Sequence, residues 1–198
     1  MTIAMVPSAR RGRRWTEVLA LLVCLSASAG AAYSPAPERF TAFAVSMTNG
    51  AAGRNSNLEL VIDRWSTPAD RDDLAAALDE QGPEGLLKRL QGRPRIGYVR
   101  AAGRLGNDIP FARQVQHSDG SRRIVIVLAR RLSFNEVNPS STTEDYPFTV
   151  IELRLDAAGG GDGRMSVGAK ITVHKGSDQI EHEDYTGGNV LLKDVKVS

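Results

Sequence analysis

Arg164-Met-Ser-Val-Gly-Ala-Lys-Ile-Thr-Val-His174, followed after four residues by Gln179-Ile-Glu-His-Glu-Asp-Tyr185, is the stretch on which the fold turns. Met165, Val167, Ala169, Ile171 and Val173 alternate with Ser166, Gly168, Lys170, Thr172 and His174. A period of two places the apolar set on one face of a strand and the polar set on the other. If Lys175–Asp178 form a four-residue hairpin loop, His174 pairs with Gln179, Val173 with Ile180, Thr172 with Glu181 and Lys170 with Glu183. The last pair is charge-complementary. Upstream, Leu155, Leu153 and Ile151 are expected to face Met165, Val167 and Ala169 across a Gly-rich turn, Ala157–Gly163, which extends the hairpin into a meander.

The same alternation and β-branched content mark strands at Arg39–Met47, Asn57–Trp65, Arg95–Ala102, Ile109–Gln116, Arg122–Arg131, Tyr146–Leu155, Arg164–His174, Gln179–Tyr185 and Val190–Val197. Ile124–Ala129 lacks polar alternation, so that strand is expected to be covered on both faces. Between the second and third strands the period lengthens. Thr67 can cap, Pro68 suits a first helical turn, and Asp70 complements the helix dipole. Leu74 and Leu78 share a face, Gly82-Pro83 breaks the run, and Leu86, Leu87 and Leu90 form a second short amphipathic piece before Gly92 and Pro94. The fold expected is mainly β: an antiparallel β sandwich or open barrel with a two-helix insertion, 68–91, after the second strand.

Residues 1–32 have the layout of a cleavable secretory signal. Arg10, Arg11, Arg13 and Arg14 precede an apolar run, Val18–Leu25, and the small residues Ser26–Ala32 follow, with cleavage expected after Ala31 or Ala32. The run is shorter than the roughly 20 apolar residues of a spanning helix, so no stable membrane span is expected after cleavage. Cys24 lies behind Leu22 and Val23 rather than a small residue, which disfavours lipidation. The expected organisation is signal peptide 1–32, a short linker 33–38 and a single β-rich domain 39–198, exported to the periplasm or outside the cell. The mature chain would have no cysteine, hence no disulfide and no thiolate metal site. Removing residues 1–32 takes away four arginines and Glu17, leaving 21 basic against 22 acidic of the chain's 25 and 23. A near-neutral domain lacks the global basic field of a nucleic-acid binder, and no nucleic-acid partner is expected.

His174 and His182, with Glu181, Glu183 and Asp184 nearby, first evoke a metal site, but the hairpin register sends the two imidazoles to opposite faces. His117 falls in a turn with Ser118, Asp119 and Gly120. There is no Gly-x-Ser-x-Gly elbow, and Gly159–Gly163 lacks both the acidic ligands of a calcium loop and the Gly-Lys-Ser/Thr ending of a phosphate loop, so a hairpin turn is its expected use. Glu136, Glu144, Asp145 and Glu152 could supply a glycosidase-like carboxylate pair, which leaves no spacing signature. No catalytic, cofactor-binding or metal residue is assigned, and no cofactor is expected. Arg122-Arg123 and Arg130-Arg131 bracket the most hydrophobic strand, either as gatekeepers against aggregation or as an anion clamp for lipid head groups, polyanionic glycans or phosphate. Arg123 and Arg131 are the anion-binding candidates. Trp65, Tyr98, Phe111, Phe134 and Tyr146 follow no repeat and are expected to pack in the core and rim.

Leu60-Val-Ile-Asp-Arg-Trp-Ser66, Arg95-Ile-Gly-Tyr98 and Asp145-Tyr-Pro-Phe-Thr-Val-Ile-Glu152, in that order around the helical insert, resemble an uncharacterised family of secreted bacterial proteins of similar length. The resemblance spans most of the mature chain, implies a signal followed by one domain, and transfers no activity. The function expected from the residues is a non-catalytic exported binding module for a small apolar or amphiphilic ligand or an envelope protein partner. The alternative is a hydrolase using dispersed carboxylates.

Overall fold

The computed structural model describes residues 37–46, 55–132, 147–173 and 180–198. The expected leader, most of the linker, Phe134, Glu136, Glu144, Asp145, Tyr146 and His174 lie outside these, as do the side chains of 180–189. In chain order the elements are β1 (Glu38–Ser46), β2 (Asn55–Ile62), α1 (Pro68–Gln91), β3 (Gly97–Ala101), β4 (Asn107–Asp108), β5 (Phe111–Gln116), β6 (Arg122–Leu128), β7 (Phe148–Leu155), β8 (Gly160–Val173) and β9 (Ile180–Val197). All nine strands join one antiparallel sheet in the order β4-β3-β2-β1-β9-β8-β7-β6-β5.

That order forces curvature. Laid flat, nine strands about 4.8 Å apart would separate β4 from β5 by roughly 38 Å. Asp108 and Phe111 are three residues apart and can span at most about 11 Å. The sheet therefore curls into a half-barrel that brings its edges together. Ile109 bridges the gap, exchanging hydrogen bonds with Ile96 (2.9 Å) and Gly97 (3.0 Å). Beside it, Ser66 N–H donates to the Ala112 carbonyl (2.8 Å) and Ala112 N–H donates to Ser66 Oγ (3.1 Å), which occupies the edge of β5. A sandwich is not formed, because no break in strand pairing divides the sheet into two.

The concave side is the main core. Phe40, Leu60, Ile62, Ile96, Ile109, Ile124, Ile126, Leu128, Ile151, Leu153 and Met165 are all buried there. At one mouth a polar layer crosses the interior: Arg122 of β6 pairs with Glu38 of β1 (2.6 Å) and donates to Gln114 of β5 (3.2 Å). On the convex side, Leu74, Leu86 and Leu90 of α1 cover Phe111, Val125, Val127, Phe148, Val150, Ala169 and Ile171. β6 is thus buried on both faces, as its unbroken apolar run implies, although it lies next to an edge strand.

The expected two-helix insertion is one helix with a kink. Thr67 and Asp70 form a reciprocal capping box (Thr67 N–H to Asp70 Oδ2, 2.8 Å; Asp70 N–H to Thr67 Oγ1, 3.2 Å), with Pro68 in the first turn. Gly82 alone leaves helical dihedrals (φ 68°, ψ −161°). Arg93 pairs with Asp70 (2.5 Å) and Asp73 (2.8 Å), and Arg89 with Asp73 (3.6 Å), so the path turns sharply at Gly82 and brings the end of α1 back against its start. The hairpin register of β8 and β9 is as the sequence implies, with Val173 opposite Ile180, Thr172 opposite Glu181 and Lys170 opposite Glu183, but the apolar set does not keep to one face: the register shifts at Gly168 (φ 73°), so Met165 and Val167 meet the main core while Ala169 and Ile171 lie under α1. The β7–β8 register is shifted from the expected one: Ile151 faces Met165, Leu153 faces Gly163 and Leu155 faces Gly161. The glycine run belongs to the strand rather than the turn, which is confined to Asp156–Gly160. At Gly163 a Cβ would lie 2.5 Å from the Glu152 carbonyl oxygen, so glycine there permits the close approach of β7. β9 also runs unbroken through Gly187 and Gly188, where two strands were expected.

Candidate functional site

The strand pairings place a group of arginines on the convex face beyond the footprint of α1. Along β7, Phe148, Val150, Glu152 and Arg154 point to this side, because Ile151, Leu153 and Leu155 fill the interior. Arg164 of β8 lies directly opposite Glu152, and Arg123 of β6 lies opposite Arg154. Arg113 of β5 lies opposite Val125, itself opposite Glu152. Among the described residues of β5–β8, four arginines therefore share this face with two carboxylates, Glu152 and Asp162, the latter opposite Arg154.

Glu152 is the hub of the group. Its side chain is 5% exposed, and its Oε1 accepts from Arg123 Nε and Arg154 Nε, both at 3.0 Å. Burial alone raises the pKa of this carboxyl, but the two guanidinium hydrogen bonds outweigh it and hold the group below the usual glutamate range. Arg154 and Arg164 remain exposed. The cluster thus has a buried anchor and outward-facing cations, and guanidinium groups are suited to bidentate recognition of phosphate or carboxylate.

The convex face continues across β9, β1, β2 and β3. Lys193 lies opposite Phe43, and Lys196 opposite Thr41. Glu59 of β2 accepts from Arg39 Nη1 (2.9 Å), Arg100 Nε (2.6 Å) and Tyr98 Oη (3.4 Å). The Arg100 hydrogen bond is foremost in lowering its pKa. The Tyr98 ring carries Arg95 at 5.1 Å and Arg100 at 5.5 Å from its centroid.

Of the two anion-binding candidates, Arg123 belongs to the cluster and Arg131 does not. Arg131 lies beyond the opposite end of β6, in a segment fastened to β7 by Thr149, whose Oγ1 donates to the Arg130 carbonyl and accepts from Leu132 N–H (both 2.9 Å). The five residue steps from Arg123 to Leu128 alone cover about 17 Å of strand. One small anion cannot bridge the two. Arg122, though adjacent to Arg123, faces the interior and pairs with Glu38. Arg113, Arg154 and Arg164 escape notice in the sequence because they belong to different strands and meet only through register. The one available signal is their place on the polar phase of each alternation.

Beneath α1 a cleft of about 20 Å³ is lined by Leu74, Ala75, Leu86, Leu90, Phe111, Val127, Ile171 and Arg71. That volume is close to the room needed by one water molecule. His117 sits in a tight turn, its N–H donating to Ser121 O (2.9 Å), with Gly120 at φ 83°. Trp65 is partly buried against the main core. Among the described residues no group of three His, Cys, Asp or Glu side chains is arranged to hold a metal, and no helix is long and apolar enough to cross a membrane. Comparison with protein-family models, curated proteins and solved structures finds no match to this chain.

Proposed function

We propose that the mature chain is an exported, non-catalytic binding module that recognises a polyanionic envelope component through the convex face of its half-barrel. The observation that carries this reading is the sorting of charge. Among the described residues of β5–β8, Arg113, Arg123, Arg154 and Arg164 share the outer face with two carboxylates, Glu152 and Asp162, in a chain with 25 basic and 23 acidic residues. The helical layer has the opposite bias, with Asp70, Asp72, Asp73, Asp79, Glu80 and Glu84 against Arg71, Lys88 and Arg89. A neutral molecule with a local basic face can attract polyanions over the range of a Debye length while lacking a global basic field.

Two further observations favour this reading over the other functions expected from the sequence. The concave interior is filled by its own side chains, and the cleft beneath α1 is too small for an acyl chain. Of the candidate carboxylates for a glycosidase-like pair, Glu152 alone lies among the described residues, and it is shifted downward where the acid of such a pair needs a raised pKa.

The test is fluorescence anisotropy of labelled polyphosphate against the mature domain and an Arg154→Ser/Arg164→Ser variant. The expected result is salt-sensitive binding by the parent and about tenfold weaker binding by the variant, on the order of two screened charge contacts. Absence of binding at low salt, or equal affinity of the two proteins, would refute the proposal.

A further inference from the structure

We infer that the β9–β1–β2–β3 stretch of the convex face docks on an anionic lipid bilayer surface, with Leu105 at the β3–β4 turn as its apolar anchor; this rests on the polyanion reading and extends it beyond β8. Among the described residues Leu105 is the most exposed large hydrophobic side chain, at 92%. A lone exposed leucine is unremarkable, but this one has a particular setting. It sits at the tip of a tight turn, Ala101–Gly106, in which Arg104 N–H donates to Ala101 O (3.0 Å) and Gly103 adopts φ 73°. The following Gly106 lies against the Tyr98 ring, where a Cβ would be 3.4 Å from Cδ2. The tip is therefore attached to the convex side of the sheet, beside the Arg95–Tyr98–Arg100 stack.

The neighbouring rows carry the same mixture. Ala102 N–H donates to the Asn57 carbonyl, and Asn57 is level with Phe43, which is level with Lys193. Val45 and Leu191 are cross-strand partners one step further along, and Leu191 faces Arg164. Phe43, Val45 and Leu191 are all partly buried on this face. Arg39, Arg95, Arg100 and Lys193 outnumber Glu59 and Asp108 here and are interspersed with apolar side chains around one fully exposed leucine, which matches the chemistry of a bilayer interface, where phosphates meet acyl chains.

The experiment is co-sedimentation of the mature domain with vesicles of 3:1 phosphatidylcholine to phosphatidylglycerol, with pure phosphatidylcholine vesicles and soluble polyphosphate in parallel. The parent should sediment with the anionic vesicles and not the neutral ones. Leu105→Ser should weaken vesicle binding roughly tenfold, as expected for one withdrawn leucine, and leave polyphosphate binding unchanged. Arg100→Ser/Lys193→Ser should weaken vesicle binding by about thirtyfold. Leu105→Trp should show a blue-shifted emission on binding anionic vesicles. Polyphosphate binding without vesicle binding overturns the bilayer inference and leaves the polyanion reading standing; failure with both overturns both. Vesicle binding that Leu105→Ser does not alter, or a Leu105→Trp emission that does not shift, overturns the anchoring role.

Discussion

Glu152 offers the sharpest test of the arginine cluster, because its role in folding and its effect on binding point in opposite directions. Glu152→Gln keeps the shape of the side chain and one acceptor oxygen but removes the charge that two guanidinium groups share. Hydrogen bonds to charged groups contribute about 1.5–3 kcal/mol each. Arg154 is 69% exposed, so its bond is screened and contributes little; Arg123 is 28% exposed and dominates. The expected destabilisation is therefore about 2 kcal/mol, which for a domain of this size lowers the thermal midpoint by roughly 4–8 °C. Because the folded pKa of Glu152 is depressed, its contribution is present above the unfolded carboxylate pKa and is lost as pH falls through the folded one. The difference in midpoint between parent and variant should thus be full at pH 7 and shrink as the pH falls below about 4. The same substitution removes a competing negative charge and should strengthen polyphosphate binding severalfold. Calorimetry across pH together with anisotropy measures both. A midpoint shift below about 1 °C at pH 7, or an equal shift at pH 7 and pH 2, would refute the assignment of Glu152 as a charged hub.

Two stability predictions address the scaffold. Ile126→Ala empties a fully buried position on the concave side of β6 and should cost about 2–4 kcal/mol by urea unfolding; a loss under 1 kcal/mol would mean that the interior is not close-packed there. Thr67→Ala removes one half of the capping box and should cost about 1 kcal/mol at neutral pH. Asp70, whose pKa is lowered to about 2 chiefly by the Thr67 backbone N–H and the Arg93 side chain, adds stability above the ordinary aspartate range that is lost as pH approaches 2. An Asp70→Asn variant whose deficit relative to the parent is the same at pH 2 as at pH 7 would contradict this.

Much of the fold was legible because its signals are local. The pairing of Lys170–Val173 with Ile180–Glu183 is legible from sequence, and Thr67, Pro68 and Asp70 announce the start of α1. Glycine was the weak point. Gly160, Gly161 and Gly163 have no side chain to reveal which face they occupy, so a run that pairs with β7 reads as a loop. Gly82 reads as a full break, and the path does double back there, although the helical element is continuous across it. The candidate site was half legible for the same reason: a paired arginine motif draws the eye to Arg123 and Arg131, which share a segment of chain but not a place on the surface.

The sequence by itself determined which segments form strands and where the helix starts, since dihedral preference and side-chain periodicity are properties of a few consecutive residues; the bulge at Gly168, which switches the faces of β8, came only with the pairing. Only the tertiary structure decided that the strands close into one curled sheet rather than two stacked ones, because alternation is identical in both and the difference lies in whether β1 continues the sheet to β9. The tertiary structure likewise decided that Arg113, Arg123, Arg154 and Arg164 meet around Glu152, since cross-strand register joins residues with no fixed separation along the chain.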